Sequence, residues 1–304
     1  MAFQPNITIT LENFDDAWGL GDPIAIENKF QELLSEAESL PDKSIYLQIL
    51  SQLALAQAIQ KKFDEAHKTL DKAEVLLTPE YDLAHARILL ERGRTFQQAG
   101  KIAEARNYYE QSYELSKKNN LDFHTINAAH MLAIIAEKPE NKIEWNQRSL
   151  DLALKTKDKR AEAWQGPLYN NLGRNYLEAS QFENALSSFQ KALEYREKEG
   201  YAPNIRVAKW QIGSALRLLN RLDEALNAQL ALDNEYAAIS ASGKYDIPIQ
   251  MFTLTRGLIY EEITDIYLAK ARGYAKLAYD DLSQDEMFRT TEAGRLERLK
   301  QIKS

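Results

Sequence analysis

The sequence predicts an all-α protein, a right-handed solenoid of about six helical hairpins with capping helices at its ends. Two observations predict this fold class. Glycine and proline together supply 20 of the 304 residues, whereas leucine and alanine recur throughout, a composition typical of packed helices. One pattern of small and large apolar residues also recurs four times along the chain. Repeats of this kind indicate stacked units, each of which buries its apolar face against its neighbours.

The repeated pattern is a large apolar residue followed three positions later by alanine, shortly after a polar turn. Its four copies are residues 63–66, 102–105, 182–185 and 222–225. Twelve residues before each alanine stands another small residue; these are Ala54, Gly93, Gly173 and Gly213. Two helices approach closely only where their side chains are small. Each pair of small residues therefore predicts the crossing point of a helical hairpin.

These residues resemble the tetratricopeptide repeat along most of the chain. The repeat that contains Gly173 matches best, with Tyr169, Leu172, Gly173, Tyr176, Ala185, Phe189 and Ala192 at the characteristic positions. A further repeat, between the copies at 102–105 and 182–185, departs most, because Pro139 delays its second helix and Trp145 falls near an expected small residue. A last hairpin is predicted from Gly257 and Ala271. The chain is also similar to a set of bacterial cytosolic repeat proteins, a resemblance that implies a family and not a function.

We interpret residues 1–304 as a single domain. Residues 1–43 are expected to form an N-terminal cap, residues 44–282 the repeats, and residues 283–304 a C-terminal cap. Asp22 followed by Pro23 predicts a helix start, because a capping carboxylate precedes a proline at the first helical position. A polar helix within residues 291–302 would close the last repeat.

Composition argues against most catalytic chemistry. The chain has no cysteine, which excludes disulfides and zinc–thiolate sites, and only four histidines. His124 and His130 are six residues apart and point in different directions on a helix, so we expect no shared metal. No nucleophile elbow, HExxH motif or phosphate-binding loop occurs. The sequence therefore predicts a protein that is not an enzyme and needs no cofactor.

Net charge and the N-terminal residues limit the partners and the location. The formal charge of −7 is the opposite of what a nucleic-acid binder requires. The N-terminus lacks the basic and apolar regions of a secretion signal, and no segment has the composition of a membrane span. We therefore expect a cytoplasmic protein that binds neither nucleic acid nor membranes.

The resemblance implies that the first helices of successive hairpins line an inner, concave surface. Three positions of each first helix share one face, and the polar side chains there concentrate in the middle of the chain. The first hairpin offers only small or apolar side chains at these positions. The candidate ligand-binding residues are Arg87, Arg94, Asn127, His130, Asn170, Arg174, Trp210, Arg217 and Glu261.

Charge on these first helices predicts an acidic protein or peptide partner. The first helices of the second to fifth hairpins carry seven cations, Arg87, Arg92, Arg94, Arg174, Arg206, Lys209 and Arg217, against the three acids Asp82, Glu91 and Glu178. A basic groove in an acidic protein steers acidic ligands inward. We expect a non-catalytic scaffold that binds a peptide segment or partner protein there.

Three alternatives stay open on sequence grounds. The arginines could pair with the chain's own glutamates. A small-molecule sensor or enzyme could use a pocket around His130, Arg174 and Glu261. An exposed apolar first hairpin could also make the protein a structural oligomerisation module. The sequence decides neither the partner nor the oligomeric state.

Overall fold

The computed structural model describes residues 10–11 and 13–304, which form helices joined by turns, with no strand in this part of the chain. The predicted all-α solenoid class is confirmed. Residues 1–9, on which the secretion-signal prediction rests, lie outside the described residues. The described part of the chain forms two compact units, which we call unit 1 (up to residue 168) and unit 2 (residues 169–304). The interpretation as a single domain stays a prediction.

Unit 1 begins with a 3-10 helix and continues with three consecutive helical hairpins. The 3-10 helix spans Phe14–Leu20, and the helices are α1 (Pro23–Ala37), α2 (Ser44–Ile59), α3 (Phe63–Val75), α4 (Asp82–Gln98), α5 (Ile102–Lys118), α6 (Asp122–Ile135), α7 (Pro139–Ala153) and α8 (Lys159–Glu162). Each helix from α1 to α7 packs against the next, and α4 also packs on α2. The hairpins are α2–α3, α4–α5 and α6–α7.

Unit 2 contains two further hairpins and a long helix. Its helices are α9 (Gln165–Glu178), which begins just before the unit boundary, α10 (Phe182–Glu199), α11 (Ala202–Leu218), α12 (Leu222–Ser242), α13 (Ile249–Leu282), α14 (Glu286–Thr291) and α15 (Ala293–Lys303). The hairpins are α9–α10, which cross at Gly173 and Phe189, and α11–α12. Helix α12 packs on α13, which also contacts α15. The expected polar helix near the C-terminus is therefore present.

In each of four hairpins, the first helix ends in the same kind of backbone turn. Lys61, Gly100, Ser180 and Asn220 all have a left-handed backbone, with φ between 57° and 78°. The next residue in each turn donates a backbone hydrogen bond to a carbonyl five residues earlier, as Lys101 does to Phe96 at 2.9 Å. Such bonds satisfy carbonyl groups that the end of a helix leaves without partners. The four turns predicted from the polar residues are confirmed.

Three glycines lie where the helices of a hairpin cross. A Cβ atom added to Gly93 would stand 2.5 Å from the ring of Tyr109, and one added to Gly173 would stand 2.4 Å from the ring of Phe189. At Gly213 the amide of Gln229 would be 2.4 Å away. Only a hydrogen atom fits at these positions, which confirms the prediction that small residues mark the crossing points.

The turn predicted within the last hairpin does not form. Helix α13 continues for 34 residues, Ile249–Leu282, through the expected turn. The segment contains no proline and no residue with a positive φ that could end the first helix. A Cβ atom added to Gly257 or Gly273 would meet nothing within 4 Å, so no second helix crosses there. Helix α15 packs against α13 instead.

The N-terminal cap covers the first hairpin. Asp22 caps α1 as predicted, accepting bonds from the amides of Ile24 and Ala25, with Pro23 at the first turn. Thirteen of the sixteen residues of α2 are buried, because the 3-10 helix and α1 pack on the side that α3 and α4 leave open. The expectation of an exposed apolar first hairpin, on which the oligomerisation alternative rested, is wrong.

The glycines permit a direct test of the crossing points. We expect Gly93→Ala and Gly173→Ala each to lower the free energy of unfolding by about 1–3 kcal/mol, because the added methyl group overlaps a buried ring. Urea unfolding measures the change. The matched controls are Gly257→Ala and Gly273→Ala, exposed glycines inside α13, which should raise stability by up to about 1 kcal/mol. Equal effects at all four positions would contradict the assignment.

Candidate functional site

Unit 1 contains a cavity of about 350 Å³ on the inner side of α2, α4 and α6, which we call the inner pocket. The 3-10 helix and α8 complete its wall. Its lining residues are Asp15, Trp18, Gln52, Leu55, Arg87, Leu90, Glu91, Arg94, Phe123, His124, Asn127 and Arg160. The predicted candidates Arg87, Arg94 and Asn127 therefore lie together in one cavity.

Helix α4 supplies the charged floor of the inner pocket. Arg87, Glu91 and Arg94 are spaced by four and three residues and so share one helix face. Glu91 is buried and accepts bonds from Nη1 of Arg94 at 3.0 and 3.2 Å. Burial raises the pKa of the Glu91 carboxyl, an effect opposed by the charges of Arg94 and Arg87. Arg94 also donates from Nη2 to Oδ1 of Asn127 at 2.8 Å, which links α4 to α6.

Arg87 is held by the N-terminal cap. Its Nη2 lies 2.5 Å from Oδ1 of Asp15, and its Nη1 lies 3.1 Å from Oδ2. Nη1 also donates to Oε1 of Gln48 at 3.4 Å. The Arg87 side chain is 7% exposed and the Asp15 side chain 40% exposed. The arginine is thus buried in the wall of the pocket, with its carboxylate partner on the solvent side.

Arg160 and Phe123 separate the inner pocket from a second, mainly apolar cavity. The guanidinium carbon of Arg160 lies 3.9 Å from the ring centroid of Phe123. The second cavity, the aromatic pocket, has a volume of about 400 Å³ and is lined by Phe123, Arg160, Ala163, Trp164 and Pro167. Arg160 is exposed, and no carboxylate of the described residues lies within ion-pair distance of its guanidinium group.

The two histidines of α6, the buried His124 and the half-buried His130, have different surroundings. Burial, with the charges of Arg87 and Arg160, lowers the pKa of His124 to about 3, and its Nδ1 has no hydrogen-bond partner among the described residues. Burial also lowers the pKa of His130 to about 4, and its ring centroid lies 5.1 Å from that of Trp164. Both imidazoles are therefore neutral near pH 7. Within the described chain, no three His, Asp or Glu residues are grouped as metal ligands.

In unit 2, Arg217 binds a neighbouring carboxylate. Its Nε donates to Oε2 of Glu262 at 2.7 Å, and its Nη2 donates to Oε1 at 3.2 Å. The hydroxyl of Ser214 donates to the same carboxylate at 2.8 Å. Glu262 is buried, whereas the predicted candidate Glu261 is exposed. The carboxylate of this cluster is therefore one residue away from the one that the helix positions indicate.

The remaining candidates of unit 2 differ in their contacts. Asn170 accepts a bond from Nη2 of Arg196 at 3.0 Å. Trp210 donates from Nε1 to the carbonyl of Leu258 at 3.4 Å and packs on the core around Phe252. Arg174 is exposed and pairs with no acid of the described residues. In this unit, Arg174 is therefore the candidate cation left available to a ligand.

Self-pairing accounts for most of the basic charge counted on the first helices. Six of the seven cations form ion pairs within the chain: Arg87 with Asp15, Arg92 with Asp71 and Glu74, Arg94 with Glu91, Arg206 with Asp246, Lys209 with Glu235, and Arg217 with Glu262. The alternative that these side chains pair with acids of the chain itself therefore holds for six of the seven cations. The basic groove expected from the sequence is thus largely neutralised.

Arg160 and Phe123 are absent from the sequence-based candidates. Phe123 lies at the start of α6, outside the three helix positions taken to face inward. Arg160 lies in the short helix α8, between the third hairpin and the fourth. Asp158, whose side chain caps α8 by accepting from the amide of Arg160 at 2.8 Å, is the only local signal for that helix.

The buried imidazole of His124 predicts a pH-dependent stability. An unfolded chain binds a proton at this residue below about pH 6.5, whereas the folded chain does so only near pH 3. The wild-type free energy of unfolding should therefore fall as the pH drops through this range. Between about pH 7 and pH 5 the His124 contribution is about 2 kcal/mol, which His124→Gln should remove from the pH dependence. Urea unfolding at both pH values measures it; identical pH dependence of the two proteins would contradict a buried neutral imidazole.

Comparisons with known proteins identify the repeats. Tetratricopeptide-repeat family models match residues 93–119 and residues 164–230. No curated protein matches the chain. No helix of the described residues is long and apolar enough to cross a membrane.

Solved structures share the fold at low sequence identity. BtubC from P. vanneervenii is 18% identical over 73% of this chain and 93% of its own, with a TM-score of 0.61. A signal transduction ATPase with a tetratricopeptide repeat sensor, from Pyrococcus horikoshii, is 16% identical over 97% of this chain and 46% of its own, with a TM-score of 0.61. Apo RapI is 15% identical, with coverages of 96% and 83% and a TM-score of 0.59. The family models identify residues 93–119 and 164–230 as tetratricopeptide repeats, and the chain shares the helical-solenoid fold of these solved structures.

Proposed function

We propose that the protein is a non-catalytic binding scaffold that captures an acidic peptide segment or partner protein at the inner and aromatic pockets of unit 1. The observation that carries this proposal is Arg160, an exposed cation stacked on Phe123 between the two cavities. It faces both cavities and has no carboxylate partner among the described residues. A ligand carboxylate supplies that partner.

The stacked arginine is suited to bind a carboxylate. A guanidinium group donates two parallel hydrogen bonds to a carboxylate, and stacking on a ring leaves its N–H edges available. The contact with Phe123 also restricts the side chain before the ligand arrives, which lowers the entropy lost on binding. Arg94, oriented by Glu91 and Asn127, lies in the same cavity and can contact a second polar group of the ligand.

The aromatic pocket favours an apolar side chain next to that carboxylate. Its walls are Phe123, Trp164, Ala163 and Pro167, with Arg160 at the edge. Aromatic and arginine side chains supply most of the binding energy at protein interfaces. The ligand class that fits both cavities is therefore a segment with an aspartate or glutamate close to an aromatic or large aliphatic residue.

The ionisable groups of the inner pocket support binding more than catalysis. A general acid or base works best with a pKa near the working pH. Burial moves the pKa of His124 to about 3, and the Glu91 carboxylate is engaged by Arg94. The alternative of a sensor or enzyme pocket draws on His130 in unit 1 and on Arg174 and Glu261 in unit 2, and it stays a prediction. One structural neighbour contains a repeat domain described as a sensor, which is also a binding role.

Phage display of random dodecapeptides on the full chain tests the ligand class. We expect selected peptides to be enriched in acidic residues next to aromatic ones, and Arg160→Glu to weaken their binding by about tenfold or more, because it replaces attraction by repulsion. Fluorescence anisotropy with labelled selected peptides measures the affinities.

Arg148→Glu is the matched control for this experiment. Arg148 is an exposed arginine of unit 1 that stacks on Trp145, at 4.8 Å from the ring centroid, and lies outside both cavities. This variant should bind the selected peptides as the wild type does. Peptides without acidic residues, or equal losses in the two variants, would reject the proposed site.

A further inference from the structure

The N-terminal segment, defined as residues 13–20, is attached to unit 1 mainly through its side chains. Its residues 14–20 form a 3-10 helix, and no side chain caps the first turn of this helix by a hydrogen bond. Short 3-10 helices have poorer hydrogen-bond geometry than α-helices and depend on their surroundings for stability. Gly21 follows the segment; it has a φ of 75° and directs the chain into α1.

The segment packs on α1 through the rings of Trp18 and Phe30, and three further contacts join it to the inner faces of α2 and α4. Asp15 binds Arg87 through both carboxylate oxygens, at 2.5 and 3.1 Å. Trp18 donates from Nε1 to Oε1 of Gln52 at 2.8 Å. The ring of Phe14 lies 5.2 Å from the guanidinium carbon of Arg87. A carboxylate on an arginine and an aromatic ring beside it are the contacts by which such a surface recognises a peptide ligand.

The chemistry of the segment matches that of the proposed ligand. Its sequence, Phe-Asp-Asp-Ala-Trp over residues 14–18, combines acidic and aromatic residues. Asp15 and Trp18 line the inner pocket together with Arg160. Arg160 is exposed and forms no ion pair with the segment, so the segment leaves this cation of the pocket accessible.

From this arrangement we infer that the N-terminal segment is an intramolecular ligand, which an acidic and aromatic segment of the partner displaces from Arg87 and Gln52. The inference rests on the proposed function and adds its regulation. Because the Asp15 carboxylate is 40% exposed, a competing carboxylate reaches Arg87 from the solvent side. Phe14 and Ala17 are buried, so an effective competitor also supplies an apolar side chain.

Displacement of the segment leaves the first helix intact. Asp22 caps α1 by accepting bonds from the amides of Ile24 and Ala25, both at 3.3 Å. These bonds involve no atom of residues 13–20. Gly21, which has a left-handed backbone, connects the two parts, and the ring of Trp18 also contacts Phe30 of α1. When the segment leaves, α1 loses this ring contact but keeps its own packing on α2.

Charge reversal at two adjacent aspartates tests the inference on the full chain. The probe is a fluorescein-labelled peptide with the sequence of residues 13–20, Asn-Phe-Asp-Asp-Ala-Trp-Gly-Leu. Asp15→Lys removes the internal partner of Arg87, so the probe should bind this variant at least about tenfold more tightly than the wild type. The matched control is Asp16→Lys, whose exposed carboxylate is bonded to Asn13 and not to α2 or α4, and which should bind the probe as weakly as the wild type.

A second variant and a second measurement address folding. Trp18→Ala should also raise the affinity for the probe, and it provides the test if Asp15→Lys fails to fold. In the wild type, backbone amides of residues 14–20 should exchange with deuterium at least about tenfold faster than those of α2, and faster still when an excess of unlabelled probe is added. Unchanged affinity in both variants, or protection equal to that of α2, would overturn the inference.

The outcomes separate this inference from the proposed function. If display-selected peptides bind in a manner that depends on Arg160 but with the same affinity for the wild type and Asp15→Lys, the proposed function stands and the N-terminal segment is a permanent part of the fold. If the selected peptides show no dependence on Arg160, the proposed function itself fails.

Discussion

Close approach of two helices at a glycine is the constraint on which the repeated architecture depends. At Gly93 and Gly173 the neighbouring helix places an aromatic ring where any Cβ atom would be. The ring residue follows its glycine by sixteen positions in both hairpins, and a left-handed residue ends the first helix between them. With the second helix packed against this side of the first, the opposite side of the first helix faces inward. In unit 1, that inward side of α4 and α6 carries the inner pocket.

Much of the fold follows from patterns within about 40 residues, and the turn that is missing from α13 shows why. The turns and crossing points are local, so the sequence predicts them. Gly257 satisfies only one part of the pattern, since the residue sixteen positions later is Gly273 and no turn residue intervenes. A helix of 34 residues, about 50 Å long, results. A small residue predicts a crossing only when a large partner and a turn accompany it.

The site was harder to predict because its contacts join segments far apart in sequence. Helix periodicity places Arg94 on an inward face, where it is found hydrogen-bonded to Asn127. It cannot reveal that Asp15, 72 residues before Arg87, neutralises that arginine. Nor does it reach Arg160, which lies in a connection between hairpins. Counting charges on one set of helices therefore overestimates the basic character of a surface whose counter-ions come from elsewhere in the chain.

Occupation of Arg87 by an internal carboxylate has a thermodynamic consequence. A ligand that replaces Asp15 exchanges one ion pair for another, so the number of charged contacts is conserved and the heat of this step is small. Arg87 then contributes little to affinity, although it rejects ligands that lack a carboxylate, because they would leave a buried cation without a partner. The net free energy of binding then comes from apolar surface that is removed from water. A decrease in heat capacity on binding is the signature of this burial.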